Sequence, residues 1–203
     1  MVIRKEPPIF LRSLFSGGLL TVSLPPTISV FGYKGSGKTI VITRIITHLV
    51  KQGRRVLSAK HIGEPEFSLD SPGTDSFRHL EAGAEATFLH SNASTALLLR
   101  QPIANLTQLL QYSISVVPAE VILLEGFRFW TQKDPNIAKI ICVRTMEEVA
   151  EFQAETVSPI LGQCTLDPDI TSVIRIPDEF PFLLEAVDKW LLNAPSIPIG
   201  ENE

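Results

Sequence analysis

Residues Gly32-Tyr33-Lys34-Gly35-Ser36-Gly37-Lys38-Thr39 confine this chain to few folds. A β-branched apolar run, Thr27-Ile28-Ser29-Val30-Phe31, precedes them. A second apolar run opens at Ile40 and continues to Lys51 with helical character. The order strand, glycine-rich loop, helix with Gly-x-x-x-x-Gly-Lys-Thr spacing is the Walker A pattern. Glycines let successive backbone N–H groups approach phosphate oxygens with no Cβ in the way, and the helix N-terminus adds partial positive charge. In such a loop Lys38 reaches the β- and γ-phosphates and the Thr39 hydroxyl binds Mg²⁺. The competing reading is a glycine-rich turn that merely precedes a helix.

From Thr27 onward strands and helices alternate, which predicts an α/β fold: a mainly parallel sheet flanked by helices, of P-loop NTPase type. Strands are expected at 54–59, 85–90, 94–99, 121–125, 137–143 and 171–176. Helices are expected near Ser76 to Gly83, Leu106 to Tyr112, Thr145 to Gln153 and from Pro177 onward, where Phe180, Leu183, Leu184, Val187 and Leu191 recur at helical spacing. The run Val121-Ile122-Leu123-Leu124 reads as a strand buried on both faces. This gives one nucleotide-binding domain over 27–193 and a loose tail over 194–203. An N-terminal arm over 1–26 reads as a hairpin turning at Ser16-Gly17-Gly18, with an interfacial amphipathic helix as the alternative.

Charge and cysteine content narrow the partners. With 18 Lys and Arg against 22 Asp and Glu, the chain has a net charge of −4 and its basic residues are scattered, so no nucleic-acid surface is expected. No stretch approaches the roughly 20 apolar residues that span a bilayer, and the N-terminal run is cut by Arg12 before it could serve as a signal peptide. Cys142 and Cys164 lack disulfide-framework or zinc-ligand spacing; they read as buried thiols in a cytoplasmic protein. The four histidines show no ligand spacing, so no structural metal is expected.

Beyond the loop, Glu125 ends the apolar strand and is followed by Gly126. An acid there can hold Mg²⁺ through water or polarise an attacking water, while the bland reading is a solvated acid at a strand tip. Asp70 and Asp75, after the second strand, belong to the carboxyl edge of the sheet, where ligands bind. Either can serve a metal or a water, and Asp75 can instead cap the helix that begins at Ser76. Lys60 and His61 end the second strand at the same edge. Lys60 suits a phosphate, and His61 reads as a structural hydrogen-bonder or a catalytic group.

Taken together, GYKGSGKT, the Lys60-His61 pair, DSPGTDSFRHLEAGA from Asp70 to Ala84, LLEGFR from Leu123 to Arg128 and AKIICVR from Ala138 to Arg144 resemble the MobB family, the molybdopterin-guanine dinucleotide biosynthesis adapters, over residues 27–192. The resemblance implies a GTP-binding homodimer with slow GTPase activity that assists the guanylyltransferase MobA, with molybdopterin as a further ligand. It implies that Gly32, Tyr33, Lys34, Gly35, Ser36, Gly37, Lys38 and Thr39 line GTP, with Thr39 and Glu125 serving Mg²⁺. Asp70, Asp75, Lys60 and His61 match further positions of the family pattern. This chain departs from the pattern at Ile40, where a second hydroxyl usually follows; at Thr74, where lysine is common; and at Tyr33, where the nitrogenase-like branch carries a lysine that reaches across its dimer. Guanine preference rests on the resemblance alone, because Thr131-Gln132-Lys133-Asp134 has the wrong order for a guanine-reading motif. The readings left open are a small-molecule kinase using Asp70 or Asp75 as base, and a nucleotide-binding adaptor without turnover.

Overall fold

A computed structural model describes residues 23–64, 67–195 and 197–198. Its elements in chain order are β1 (Ser23–Leu24), β2 (Thr27–Phe31), α1 (Lys38–Lys51), β3 (Val56–Lys60), α2 (Asp75–Glu81), β4 (Ala86–His90), β5 (Thr95–Leu99), α3 (Leu106–Val116), β6 (Val121–Glu125), α4 (Arg128–Thr131), β7 (Ala138–Val143), α5 (Met146–Glu155), β8 (Ile160–Thr165), β9 (Ile174–Arg175), α6 (Phe180–Leu192) and β10 (Ile197–Pro198).

Six strands form one parallel sheet in the order β3-β6-β2-β7-β8-β9. The strand that feeds the glycine loop lies inside it, between β6 and β7. Every residue of β2, β6 and β7 is buried; β6 is accordingly a continuous apolar run up to Glu125, while β2 buries Thr27 and Ser29 and β7 buries Lys139 among their apolar residues. On one face Ile28, Val30, Leu123, Ile140 and Cys142 pack with Val41, Ile45 and Leu49 of α1 and Leu183 and Val187 of α6. The opposite face carries Ile122 and Leu124 against Leu106 and Leu110 of α3, and Phe31, Ile141 and Val143 against Val149 and Phe152 of α5. Parallel strands covered by helices on both faces are the expected P-loop-type α/β architecture.

Some local expectations hold and others are corrected. β4 and β5 pair with each other as an antiparallel hairpin outside the main sheet. β8 is an additional strand: Gly162 and Gln163 interrupt its apolar pattern, and only Cys164 and Thr165 are fully buried. The last helix begins at Phe180 with Pro181 in its first turn, so Pro177 precedes it. The hairpin expected over 1–26 falls outside the described residues except at its end, where Ser23–Leu24 pair antiparallel with Ile197–Pro198 of the expected tail. The two thiols are fully buried and unbonded, with Cys142 Sγ 3.6 Å from Cys164 Sγ across β7 and β8.

Inside this core Lys139 is fully buried, its Nζ donating to the carbonyl of Asp134. Burial pushes its pKa down to about 8, against the pull of the Asp134 charge. The unfolded chain, with an ordinary lysine near 10.4, binds more protons than the folded chain between those two values. Folding stability from this group therefore rises as pH climbs from about 8 to about 10. Urea unfolding of the wild type and Lys139→Met should show the variant's relative stability falling by roughly 2 to 3 kcal/mol from pH 7 to pH 10. A pH-independent difference between the two would contradict the burial cost.

Candidate nucleotide-binding site

The loop between β2 and α1 is shaped by two close approaches. At Gly32, φ is 153°, and a Cβ there would lie 2.0 Å from the Cys142 carbonyl oxygen and 2.7 Å from Ser36 Oγ. At Gly37, φ is 88°, and a Cβ would meet the Leu166 side chain at 2.9 Å. Only glycine fits the first position without moving central strands. Gly37 caps α1, so the free N–H groups of the helix's first turn open onto the loop.

The loop's polar groups are arranged for an anion. Lys38 Nζ donates to the Tyr33 carbonyl at 2.7 Å, folding the cation over the loop. Ser36 is 3% exposed and its Oγ has no partner among the described residues, so a buried hydroxyl stands inside the loop ready to hydrogen-bond. Ile40 is exposed on the first turn of α1 and brings no polar group to the site.

β6 delivers its acid beside the loop because Val30 and Glu125 are register partners in parallel strands. Thr39 Oγ1 donates to Glu125 Oε1 at 2.8 Å, and Lys60 Nζ approaches the same oxygen at 3.1 Å from the tip of β3. Glu125 is 7% exposed, so the two contacts hold a carboxylate in a mostly dry position. A hydroxyl and a carboxylate this close, next to an anion loop, form the oxygen donor set that suits a hard divalent cation. His61 donates its backbone N–H to the Glu125 carbonyl at 2.8 Å, and its ring packs edge-on against Phe127 and Phe129.

The acidic segment stands apart. Asp70 Oδ1 accepts from Thr74 Oγ1 at 2.7 Å and from the Ser71 N–H at 2.9 Å; the Thr74 and Ser76 hydroxyls hold its pKa below the usual carboxylate value. Asp75 is highly exposed and lies 3.6 Å from Arg78. The hydrogen bonds and ion pairs of the two carboxylates stay within this segment. Thr74, not Asp75, caps α2, accepting from the Phe77 N–H at 3.3 Å. The Thr131 to Asp134 stretch also lies away from the loop: Asp134 precedes β7 at the amino edge of the sheet, and Thr131 is buried under β2 through a 2.8 Å hydrogen bond with Ser29.

Sequence reasoning missed the group around Tyr33. Its ring lies 5.6 Å from Phe152, with the Arg128 guanidinium 5.6 Å and the Arg144 guanidinium 5.4 Å from its centroid. Tyr33 Oη donates to Glu151 Oε1 at 2.6 Å, and Arg144 Nη1 donates to the Lys34 carbonyl at 3.1 Å. Arg128 bonds Glu151 at 3.0 Å and Glu155 at 2.7 Å. Burial opposes the Arg128 charge, but Tyr33, Glu151 and Glu155 outweigh it; the Tyr33 hydroxyl, then Arg128, keeps Glu151 ionised. The available signal was positional, since both arginines closely follow strands that end at the loop's edge of the sheet.

Residues 27–161 match the family described as molybdopterin guanine dinucleotide synthesis protein B, MobB. The chain belongs to the MobB family. Relatives of MobB type include a molybdopterin-guanine dinucleotide biosynthesis adapter protein of Haemophilus influenzae, 26% identical over 167 residues that cover 82% of this chain and 89% of the relative. An Escherichia coli adapter protein of the same description is 31% identical over 121 residues, 59% of this chain and 66% of that relative. Among solved structures, a MobB homologue from Bacillus stearothermophilus superposes with a TM-score of 0.54 at 22% identity, over 80% of this chain and 98% of that one, and so shares its fold. The MobB match spans β2, the loop, β3, α2, β6 and β7, and thus all the residues that surround Glu125.

Proposed function

We propose that this MobB-family chain is an accessory protein of molybdopterin-guanine dinucleotide biosynthesis that binds GTP and Mg²⁺ at the loop of residues 32–39. The observation that carries the reading is the hydrogen bond from Thr39 Oγ1 to Glu125 Oε1 beside that loop; Lys60, which pairs with the same oxygen, would give way to the metal and face the phosphates. Backbone N–H groups from Gly35 to Thr39 would cradle the phosphates, and Lys38 would turn from the Tyr33 carbonyl to the terminal phosphates. Thr39 Oγ1 and Glu125 would hold the metal, which supplies charge neutralisation at the β- and γ-phosphates.

Hydrolysis in this reading is slow. Fast phosphoryl transfer uses an arginine aimed at the transferred group, worth roughly 10³-fold or more. Arg128 is committed to Glu151 and Glu155, and Arg144 to Glu148, where its Nε donates at 2.8 Å. Asp70 and Asp75 are bonded within their own segment, which favours the adapter over a kinase that would need one of them as base. Family membership supports a guanylyltransferase of the MobA type as partner, molybdopterin as a further ligand, a homodimeric state and a cytoplasmic location. Among the described residues no helix is long and apolar enough to cross a membrane. Co-purification with the guanylyltransferase, and loss of molybdoenzyme activity in a deletion strain, test the pathway role; normal activity with no captured transferase would refute it.

The metal assignment has its own test. Glu125→Gln keeps the shape of the side chain and removes its charge. Magnesium titrations monitored through GTP affinity should show the ion needed at ten times or more the wild-type concentration, with metal-free GTP binding little changed. Equal magnesium dependence in the two proteins would remove Glu125 from the metal site.

A further inference from the structure

We propose that Tyr33 is a positioning residue, whose ring is clamped between Arg128, Arg144 and α5 so that the phosphate loop is held in its anion-receiving shape before any ligand arrives. This rests on the nucleotide-binding reading of the same loop.

Residues 32–35 rise from β2 with two successive carbonyls turned to cations: Tyr33 O to Lys38 at 2.7 Å and Lys34 O to Arg144 at 3.1 Å. Tyr33 itself is 38% exposed, so burial alone does not fix it. Four contacts, from α4, the turn between β7 and α5, and α5 itself, do. Its face meets two guanidinium groups at 5.4 and 5.6 Å, its ring lies tilted against Phe152, and its hydroxyl bonds Glu151. Each arginine is itself anchored by a carboxylate of α5, Arg144 by Glu148 and Arg128 by Glu151 and Glu155. Cation–π contacts on a partly exposed ring are individually modest, but three segments converging on one ring restrict a loop that otherwise has glycines at 32, 35 and 37. Ordering such a loop on binding costs affinity; ordering it beforehand removes that cost. The ring therefore stands in for rigidity that glycines cannot provide.

The test compares Tyr33→Ala and Tyr33→Phe in the full chain, with two readouts. GTP·Mg²⁺ affinity should fall about tenfold in Tyr33→Ala and by less in Tyr33→Phe, which keeps the ring under both guanidinium groups and loses only the hydroxyl's hydrogen bonds with Glu151 and Arg128. In the ligand-free proteins, backbone amides of residues 34–37 should exchange hydrogen faster in Tyr33→Ala than in the wild type or Tyr33→Phe, while those of α1 are unchanged. Faster exchange in Tyr33→Ala supports the clamp even if the wild type binds no nucleotide, an outcome that would overturn only the binding reading. Unchanged loop exchange in Tyr33→Ala overturns the clamp whatever the affinities show.

Discussion

Lys38→Ala is expected to weaken GTP binding by about 100-fold or more while leaving folding stability within about 0.5 kcal/mol of wild type. In the ligand-free protein the side chain spends its charge on one exposed hydrogen bond, to the Tyr33 carbonyl, so its loss costs the fold little. In the complex the same ammonium would face the most highly charged part of the ligand, close to a helix N-terminus and a buried serine hydroxyl. Losing a cation opposed to clustered phosphate charge is worth several kcal/mol, against about 1 for a neutral hydrogen bond. Isothermal titration gives the affinity and urea unfolding the stability. Unchanged affinity would mean that the loop of residues 32–39 does not receive the nucleotide.

Gly32→Ala should act on the opposite quantity, costing about 3 kcal/mol or more of folding stability. The added methyl would sit 2.0 Å from the Cys142 carbonyl oxygen, a backbone atom of a fully buried strand, and φ at 153° is a conformation that alanine resists. Neither β2 nor β7 can yield, because both lie inside the sheet with helices on each face. Gly35→Ala is the matched comparison. It too has positive φ, at 81°, but nothing lies within 4 Å of its added methyl, so only backbone strain of about 1 kcal/mol is expected. Equal losses in the two variants would show that the approach of Gly32 to β7 does not constrain the loop.

Much of the fold was legible because it rests on local chemistry. The run Val121–Leu124 declares a buried strand by its lack of alternation, Thr27–Phe31 declares a strand by its β-branched residues, and the loop declares what lies between strand and helix. β8 was hidden because Gly162 and Gln163 sit in a strand that is half-buried for most of its length. Nothing in the spacing of β4 and β5 tells a solitary hairpin from two strands of the main sheet; pairing is a long-range property. That Glu125, Thr39 and Lys60 meet is legible because each ends a strand or opens a helix at the carboxyl edge. Asp70 and Asp75 follow the same logic, and the structure shows their hydrogen bonds and ion pair within their own segment, with Asp70 Oδ2 buried and without a partner among the described residues. The Tyr33 clamp leaves only that positional signal, since it joins residues 95, 111 and 118 positions away, two of them arginines that look isolated along the chain.

The central claim, a guanine nucleotide and magnesium at the loop between β2 and α1, is tested most directly by titrating the wild-type chain with GTP and with ATP, each with and without Mg²⁺. Saturable binding of one GTP per chain is expected, strengthened by the metal, with ATP at least about tenfold weaker, a difference near 1.4 kcal/mol. No saturable binding of either nucleotide, or equal binding of ATP and GTP, would contradict it.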